Sequence, residues 1–441
     1  MKKIKTALIS LSDKSNISNI LKILKKFNID VLSSGGTFKK LKSFGYKCRE
    51  ISEYTKYPEI LSGRVKTINP KIHAGILFDR KKKIHQKEMI RLGYGQIDLV
   101  IVNFYPFEEL TENSRNEKKI IENIDIGGPT LTRSAAKNYK FVTVISSKKQ
   151  YHELENQLLK YNGCTTEEFR KRMANEAFIN TAYYDTKISD YFSKILNNKF
   201  PNKKVIAANK VENLRYGENP HQDAALYSLN NKNLINQIHG KKLSYNNYND
   251  LFCALTISKT LPKNTGTVIV KHANPSGVSI KKKDIESYKN ALKCDPISAF
   301  GGIVSFNFKL NKKLADEVIK NFYEIVIANG FEKSALKSLR KKKNLRIIDA
   351  SNFKIQKSEI INSRLNELLI QSSDEIQIPH KEFKIVSKLK PSKKTLKELL
   401  FAFHICKFVK SNAIVITKDL STIGIGSGQT SRLDSCEIAI N

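Results

Sequence analysis

The stretch KTALISLSDKSNISNILKILKKFNIDVLSSGG, residues 5–36, opens with an apolar run of strand length and continues with apolar residues at helical spacing. It closes on a second apolar run that ends in paired glycines. Strand, helix and strand in that order are the unit from which parallel sheets are built. The pattern continues outward: TFKKLKSFG reads as a helix, and IDLVIVNFY and FVTVIS read as further strands. The N-terminal region is therefore expected to be a parallel sheet covered by helices. After Cys164, TTEEF offers a capping box, with Thr165 as N-cap and Glu168 three residues on, opening an amphipathic helix to about Leu196. NNKFPNKK, residues 197–204, reads as a linker, so the expected domains are 1–196 and 205–441, the second also α/β. No short-period repeat or low-complexity segment is present.

Composition narrows the function classes. A chain of 441 residues with 40% hydrophobic side chains is long enough for two or three cores. No apolar run approaches the roughly 18 residues of a membrane-spanning helix, and the basic N-terminus is interrupted by Ser10, Ser12 and Asp13 where a signal peptide stays apolar. The chain reads as a cytoplasmic protein with no membrane partner. Its six scattered cysteines form no CxxC pair, which suggests free thiols, and no metal is expected. The net charge of +35 raises nucleic-acid binding, but the basic residues are mostly lysines spread along the chain. RKKK at 80–83, KKKD at 281–284 and RKKK at 340–343 read as solvated loops, and a basic surface also favours small anionic substrates. Nucleic acid is not the expected partner.

Several clusters carry chemistry. SSGGT, residues 33–37, joins a strand end to a helix start, where glycine lets backbone N–H groups and the helix dipole meet an anion. Ser10, Ser12 and Lys14 fall at the same sheet edge, the usual ligand side of open α/β sheets. GRVKT, residues 63–67, adds Arg64, Lys66 and Thr67 on a segment read as extended. Asn103 and Tyr105 follow a strand, and NIDIGGPTLTRSAAKN supplies Asp125, Gly127 and Lys137. Singly, each is more often a scaffold feature: a glycine turn, a half-buried aromatic, a helix cap or a solvated lysine. Together they outnumber what a scaffold needs. In VKHANPSG, residues 270–277, the strand TVIV ends on Lys271 and His272 before an expected Asn274–Pro275 turn.

SLSDK, SSGGT, GRVKT, NFYPF, ENIDIGGPT and RSAAKN closely resemble, in order and spacing, the cyclohydrolase domain of the bifunctional purine biosynthesis enzymes that combine AICAR transformylase with IMP cyclohydrolase. LRYGENPHQ, KLSYNN, VKHANPSG, DPISAFGG, KFVKSNAIV and IGIGSGQTSR resemble the transformylase domain. The resemblance covers essentially the whole chain. It implies a methylglyoxal-synthase-like N-terminal domain followed by cytidine-deaminase-like α/β units, in a homodimer that shares transformylase sites between subunits. It also implies two reactions: 10-formyltetrahydrofolate, a cosubstrate, formylates the amine of AICAR to give FAICAR, which then loses water and closes to IMP. Neither step requires a metal.

By the same resemblance, Lys271 and His272 are the catalytic pair of formyl transfer, with Asn412 donating to the developing oxyanion. A base of ordinary pKa near 6.5 suits a conjugated, weakly nucleophilic amine. Arg215, Tyr216 and Arg432 are implied near the nucleotide, since arginine grips phosphate with two parallel hydrogen bonds. Phe300, Gly301 and Gly302 resemble the segment at the folate site, and Asn246 and Asn247 resemble residues lining the substrate pocket. For ring closure the resemblance assigns Lys66, Tyr105, Asp125 and Lys137 to orientation, proton movement and oxyanion stabilisation. It assigns Ser10, Ser12, Lys14, Ser34, Gly36, Thr37, Arg64 and Thr67 to phosphate and ribose, with Asn103 and Gly127 also on the substrate.

One departure stands out. The family continues past SGQTSR through a segment of the form SDAFFPF to a His-containing C-terminus, whereas this sequence ends at SCEIAIN, residues 435–441. The resemblance therefore implies a partial chain or a shortened product whose second deaminase-like unit is incomplete. A cyclohydrolase with an inactive transformylase domain, and a basic RNA-binding protein, are the competing expectations.

Overall fold

The alternating patterns of the first 150 residues close into a five-stranded sheet in the computed structural model, which describes residues 1–230, 234–355, 359–374 and 382–441. Its strand order is Cys48–Glu50, Asp30–Ser33, Thr6–Leu11, Leu99–Asn103 and Thr143–Ile145, and every pairing is parallel. Leu8, Ile9, Val100, Ile101 and Val144 are buried on both faces, as the central strands of a helix-covered sheet require. The central strand is pinned by charge. Asp98, 2% exposed, accepts from the backbone N–H groups of Lys5 (2.8 Å) and Thr6 (3.0 Å) and pairs with Arg80 at 2.6 Å.

The long helix runs Glu167–Ile195, and its N-cap is Thr166, whose hydroxyl accepts from Phe169 N–H at 3.2 Å. The expected cap, Thr165, is instead buried in the short strand Cys164–Thr165, where it pairs with Lys2 and bonds the Thr143 hydroxyl at 2.9 Å. Two adjacent threonines compete for one cap, and the neighbouring strand captures the first. Arg170, on the first turn, is fully buried and donates to the carbonyls of Tyr139, Lys140 and Thr165. The two compact units divide at Ala208/Asn209, just beyond the expected linker.

The second unit is built on an eight-stranded mixed sheet. Its order is Asn236–His239, Arg346–Asp349, Tyr323–Ala328, Gly302–Phe306, Gly266–Lys271, Asn274–Ile280, Ser421–Gly426 and Ile414–Lys418. Two antiparallel hairpins lie side by side at its centre and one end, joined where Ser279 pairs with Ser421. Each has a two-residue left-handed turn, His272–Ala273 (φ 51° and 55°) and Asp419–Leu420 (φ 51° and 54°). This is the type I′ geometry that matches the strand twist. The expected Asn274–Pro275 turn is therefore one step late: both residues belong to the second strand. Pro275 is tolerated there because the register shifts between Ile269 and Val270, leaving a bulge at which no ladder donor is needed. Helices Asp284–Cys294 and Arg432–Ile440 pack so closely on the hairpins that a Cβ at Gly277 would lie 1.9 Å from the Ala291 carbonyl oxygen, and one at Gly424 would lie 1.8 Å from that of Ala439.

Asp98→Ala removes one half of a buried ion pair and the acceptor of two strand N–H groups. We expect a loss of about 3–5 kcal/mol, read as an earlier urea transition of the N-terminal unit.

Candidate active sites

Parallel pairing makes the strands ending at Leu11, Ser33 and Asn103 finish on one edge, so the loops that follow them meet there. The Asn103 amide organises the edge, with its oxygen accepting from Ser12 N–H (2.7 Å) and Asp13 N–H (3.0 Å) and its nitrogen donating to the Asp13 carbonyl (2.7 Å). Lys148, hydrogen-bonded to Asp13 at 2.6 Å, holds that carboxyl down at about 2. The Thr37 hydroxyl is spent on the Leu11 backbone, to which it both donates and accepts. It shapes the turn.

Gly35 begins the helix Gly35–Ser43 at φ +53°, and two lysines converge on its first turn. A Cβ at Gly35 would lie 3.3 Å from Lys66 Nζ, and one at Gly36 would lie 3.6 Å from Lys14 Cε and 3.8 Å from its Nζ. Ser34 is the N-cap residue, and Lys14 Nζ also donates to the Ser12 carbonyl at 3.0 Å. A helix N-terminus with two ammonium groups is an anion site. The segment from Gly63, expected to be extended, instead starts in a tight loop, residues 60–65, closed by an Ile60–Val65 bridge with left-handed Leu61, Ser62 and Gly63, and runs on into the helix Pro70–Leu77. The loop sends Arg64 to Glu122, which it grips through Nε (3.1 Å) and Nη2, and Lys66 to Glu59 at 2.8 Å.

Asp125 caps the start of the helix Gly127–Lys137, its Oδ1 accepting from Gly128 N–H at 2.8 Å. Burial pushes this carboxyl up, against the backbone hydrogen bonds of Gly128 and Tyr105, while its own N–H donates to the Tyr184 hydroxyl at 2.9 Å. Thr67 is buried, with its hydroxyl 2.9 Å from where a Gly127 Cβ would stand. Asp125, Thr67, Gly127 and the exposed Tyr105 thus adjoin one helix end. Lys137 does not. It is the last residue of that helix, about 15 Å along the axis from Gly127 at the usual rise per residue. Beneath Thr67, burial lowers the His73 imidazole, whose Nδ1 lies 3.1 Å from the Ser134 hydroxyl.

The second unit gathers its motifs on one sheet edge too. Strand direction brings Lys271, Asn274, Gly302, Tyr323, Arg346 and Ser427 to the same side. His272 and Ala273 are non-glycine residues in the left-handed region, a conformation that costs about 1–2 kcal/mol each. Asp250 stabilises the turn by accepting from Ala273 N–H at 2.6 Å and from the His272 backbone. Burial raises this carboxyl; those hydrogen bonds and the His272 ring oppose the rise. Lys271 Nζ donates to the Phe300 carbonyl at 2.6 Å. The Phe300 ring is exposed and lies 5.2 Å from that of Phe322, beside left-handed Gly301 (φ 71°) and the strand start at Gly302.

Asn412, expected to donate to the developing oxyanion, is turned to the SGQTSR loop. Its side-chain nitrogen donates to the carbonyls of Gln429 (3.0 Å) and Thr430 (2.9 Å), which uses both amide hydrogens on the SGQTSR loop. The Ser427 hydroxyl then ties that loop to Asn274 Oδ1 at 2.9 Å, and exposed Arg432 opens the helix beyond. Asn247 is buried, completes a capping box with Ser244 and donates to Glu324 at 2.7 Å; Arg346 meets the same carboxylate at 3.2 Å. Burial lowers Arg346, Glu324 opposes this, and the charge of nearby Arg215 adds to it. Arg215 lies over the Tyr216 ring at 5.3 Å, and Asn246 donates to the Glu218 carbonyl at 3.2 Å. Glu59, Glu122, His73, Asp250 and Glu324 all escaped the sequence reading. Only Glu324, a lone acid in the strand YEIVIA, left a signal.

Comparison with known proteins bears on both edges. Residues 135–441 match the family described as AICARFT/IMPCHase bienzyme, and residues 16–130 match an MGS-like domain. Three proteins named bifunctional purine biosynthesis protein PurH are similar over 99% of the chain. Those of Leptospira biflexa and Thermoanaerobacter sp. are 45% and 43% identical, and 86% of each is covered. That of Rhizobium rhizogenes is 40% identical, with 82% covered.

Asp250→Ala strands two N–H groups of a strained turn. It should destabilise the second unit by about 1–3 kcal/mol, and amide hydrogen exchange at Ala273 should accelerate relative to the neighbouring strand.

Proposed function

The chain belongs to the AICARFT/IMPCHase bienzyme family and is a bifunctional enzyme of purine biosynthesis, and on that premise we propose which of its residues carry each reaction. Formyl transfer belongs to the second unit. The amine of AICAR attacks the formyl carbon of a reduced folate of the 10-formyltetrahydrofolate type. His272 takes the amine proton, Lys271 stabilises the developing oxyanion or assists protonation of the departing folate nitrogen, and the amine nitrogen keeps the formyl group. Asn412 is a positioning residue that fixes the 427–432 loop. Arg215 and Arg432, with Tyr216, Asn246 and Asn247 near them, hold the nucleotide, and Phe300, Gly301 and Gly302 face the folate.

Ring closure belongs to the first unit. The carboxamide nitrogen of FAICAR attacks the formyl carbon, its proton is removed, and the hydroxyl leaves as water to give IMP. Lys66 stabilises the oxyanion, while Asp125, whose carboxyl burial raises towards the range useful for proton exchange, and Tyr105 move protons. Lys14, Ser10, Ser12, Ser34 and Gly36 hold the phosphate and ribose, together with Arg64 once it exchanges Glu122 for the ligand; Thr37, Thr67, Asn103 and Gly127 shape the turns around them. Because the reaction is intramolecular, positioning supplies much of the acceleration.

What supports this reading above all is the convergence of Lys14 and Lys66 on the Gly35–Gly36 turn, at a sheet edge separate from the Lys271–His272 turn. A homodimer in the cytoplasm completes the proposal; no helix among the described residues is long and apolar enough to cross a membrane. Similarity to bifunctional relatives over nearly the whole chain favours neither a cyclohydrolase alone nor an RNA-binding protein.

Assaying the two half-reactions on single variants tests the division. His272→Ala should abolish formyl transfer from the folate donor and leave closure of FAICAR intact, whereas Lys66→Ala should do the reverse. Equal loss of both activities in either variant would refute separate sites.

A further inference from the structure

We propose that Glu59 is a positioning residue for ring closure, holding the Lys66 ammonium at the helix turn where it acts, an inference that rests on the assignment of Lys66 above. Glu59 Oε1 lies 2.8 Å from Lys66 Nζ, and both side chains are partly sheltered, 41% and 31% exposed. The backbone around the pair is shaped for it. The Ile60–Val65 bridge closes a loop with three consecutive left-handed residues, Leu61, Ser62 and Gly63, and folds Glu59 back over Gly63. A Cβ at Gly63 would meet Glu59 Oε1 at 2.6 Å, Lys66 Cε at 2.6 Å and Lys66 Nζ at 2.9 Å. Only glycine leaves that passage open, and at φ +91° only glycine adopts the conformation without strain.

Gly35, a second left-handed glycine, is cleared for the same ammonium, since a Cβ there would lie 3.3 Å from Nζ. Lys66 therefore passes close to two glycines and comes to rest at the positive end of a helix, beside the turn that Lys14 also approaches. A cation gains nothing at a helix N-terminus and is repelled by a second one. Glu59 supplies the countercharge that keeps it there. An ammonium has three donors, so with one on Glu59 it retains two for a substrate oxygen. A lysine side chain also has many rotamers, and a carboxylate that fixes one of them converts a mobile charge into a placed one.

The test is Glu59→Gln in the full chain, assayed for both reactions. Ring closure should lose about tenfold or more in kcat, the size expected for a misplaced stabilising group, with KM for FAICAR within about twofold of the wild type. Formyl transfer on the same preparation should be unchanged, which shows that the second unit has folded, while the retained KM for FAICAR shows the same of the first. Glu59→Asp, which keeps the charge, should recover part of the lost kcat. An unchanged kcat in Glu59→Gln beside a dead Lys66→Ala overturns this inference alone. So does a rise in KM at constant kcat, a parallel loss of formyl transfer, or an equal defect in Glu59→Asp. Should Lys66→Ala itself retain ring closure, the assignment of Lys66 fails and the role of Glu59 fails with it.

Discussion

Parallel pairing is the constraint on which the first site depends. Three adjacent strands that run the same way must stop at the same edge, and their loops then have nowhere else to meet. Asp98 fixes the register that makes this exact alignment possible, taking two N–H groups and a guanidinium into a nearly dry position. The edge so formed collects cations, and cations in one place repel. The chain answers with acids drawn from two neighbouring loops and a helix end: Asp13 for Lys148, Glu59 for Lys66 and Glu122 for Arg64. These pairs differ in kind. Arg64 and Glu122 are 68% and 54% exposed, and an ion pair that wet contributes little, so a phosphate can take the arginine at small cost. The pair on Lys66 is more enclosed and is backed by two glycines.

The second site rests on strain. His272 occupies a backbone region that branched and bulky residues avoid, and it stays there because the hairpin demands a left-handed pair and Asp250 takes the N–H groups exposed by the turn. Lys271, the last residue of the preceding strand, is held separately through the Phe300 carbonyl. Two neighbouring basic side chains are thus oriented by different anchors, one through its backbone and one through its own ammonium. Adjacent residues of a regular strand would face opposite sides of the sheet. The turn is what allows both to serve one edge.

Much of this was legible in the sequence because it is written in short-range patterns. Strand and helix periods located the N-terminal sheet almost element by element, and glycine pairs marked the helix starts at Gly35 and Gly127. What escaped was whatever depends on a partner far along the chain. Thr165 and Thr166 look alike until the strand at Lys2–Lys3 claims the first. Nothing local to Asn412 announces that its amide hydrogens meet the carbonyls of Gln429 and Thr430. Asn274–Pro275 carries turn-forming residues, yet a bulge lets the proline sit within a strand. Lys137 follows Asp125 closely in sequence, and an intervening helix separates them by its whole length. The countercharges Glu59, Glu122 and Asp250 have no local signature, since an acid in a loop or on a helix is ordinary until its target is known.

The left-handed turn at His272–Ala273 has a counterpart at Asp419–Leu420, and the likeness extends to its support. Ala273 N–H donates to Asp250 of the preceding helix Tyr245–Thr260, while Leu420 N–H donates to Glu398 of the preceding helix Lys393–Cys406 at 2.9 Å. In each case the second strand then carries a glycine, Gly277 or Gly424, pressed against the backbone of the helix that follows. Helix, strand, turn, strand and helix therefore occur twice, with the adjoining strands antiparallel, so that a rotation of half a turn exchanges the copies. Such a doubled scaffold frees one copy from chemistry. The turn at one edge carries Lys271 and His272, whereas its twin at the opposite edge carries Asp419 and Leu420, so the two copies share a scaffold and differ in charge.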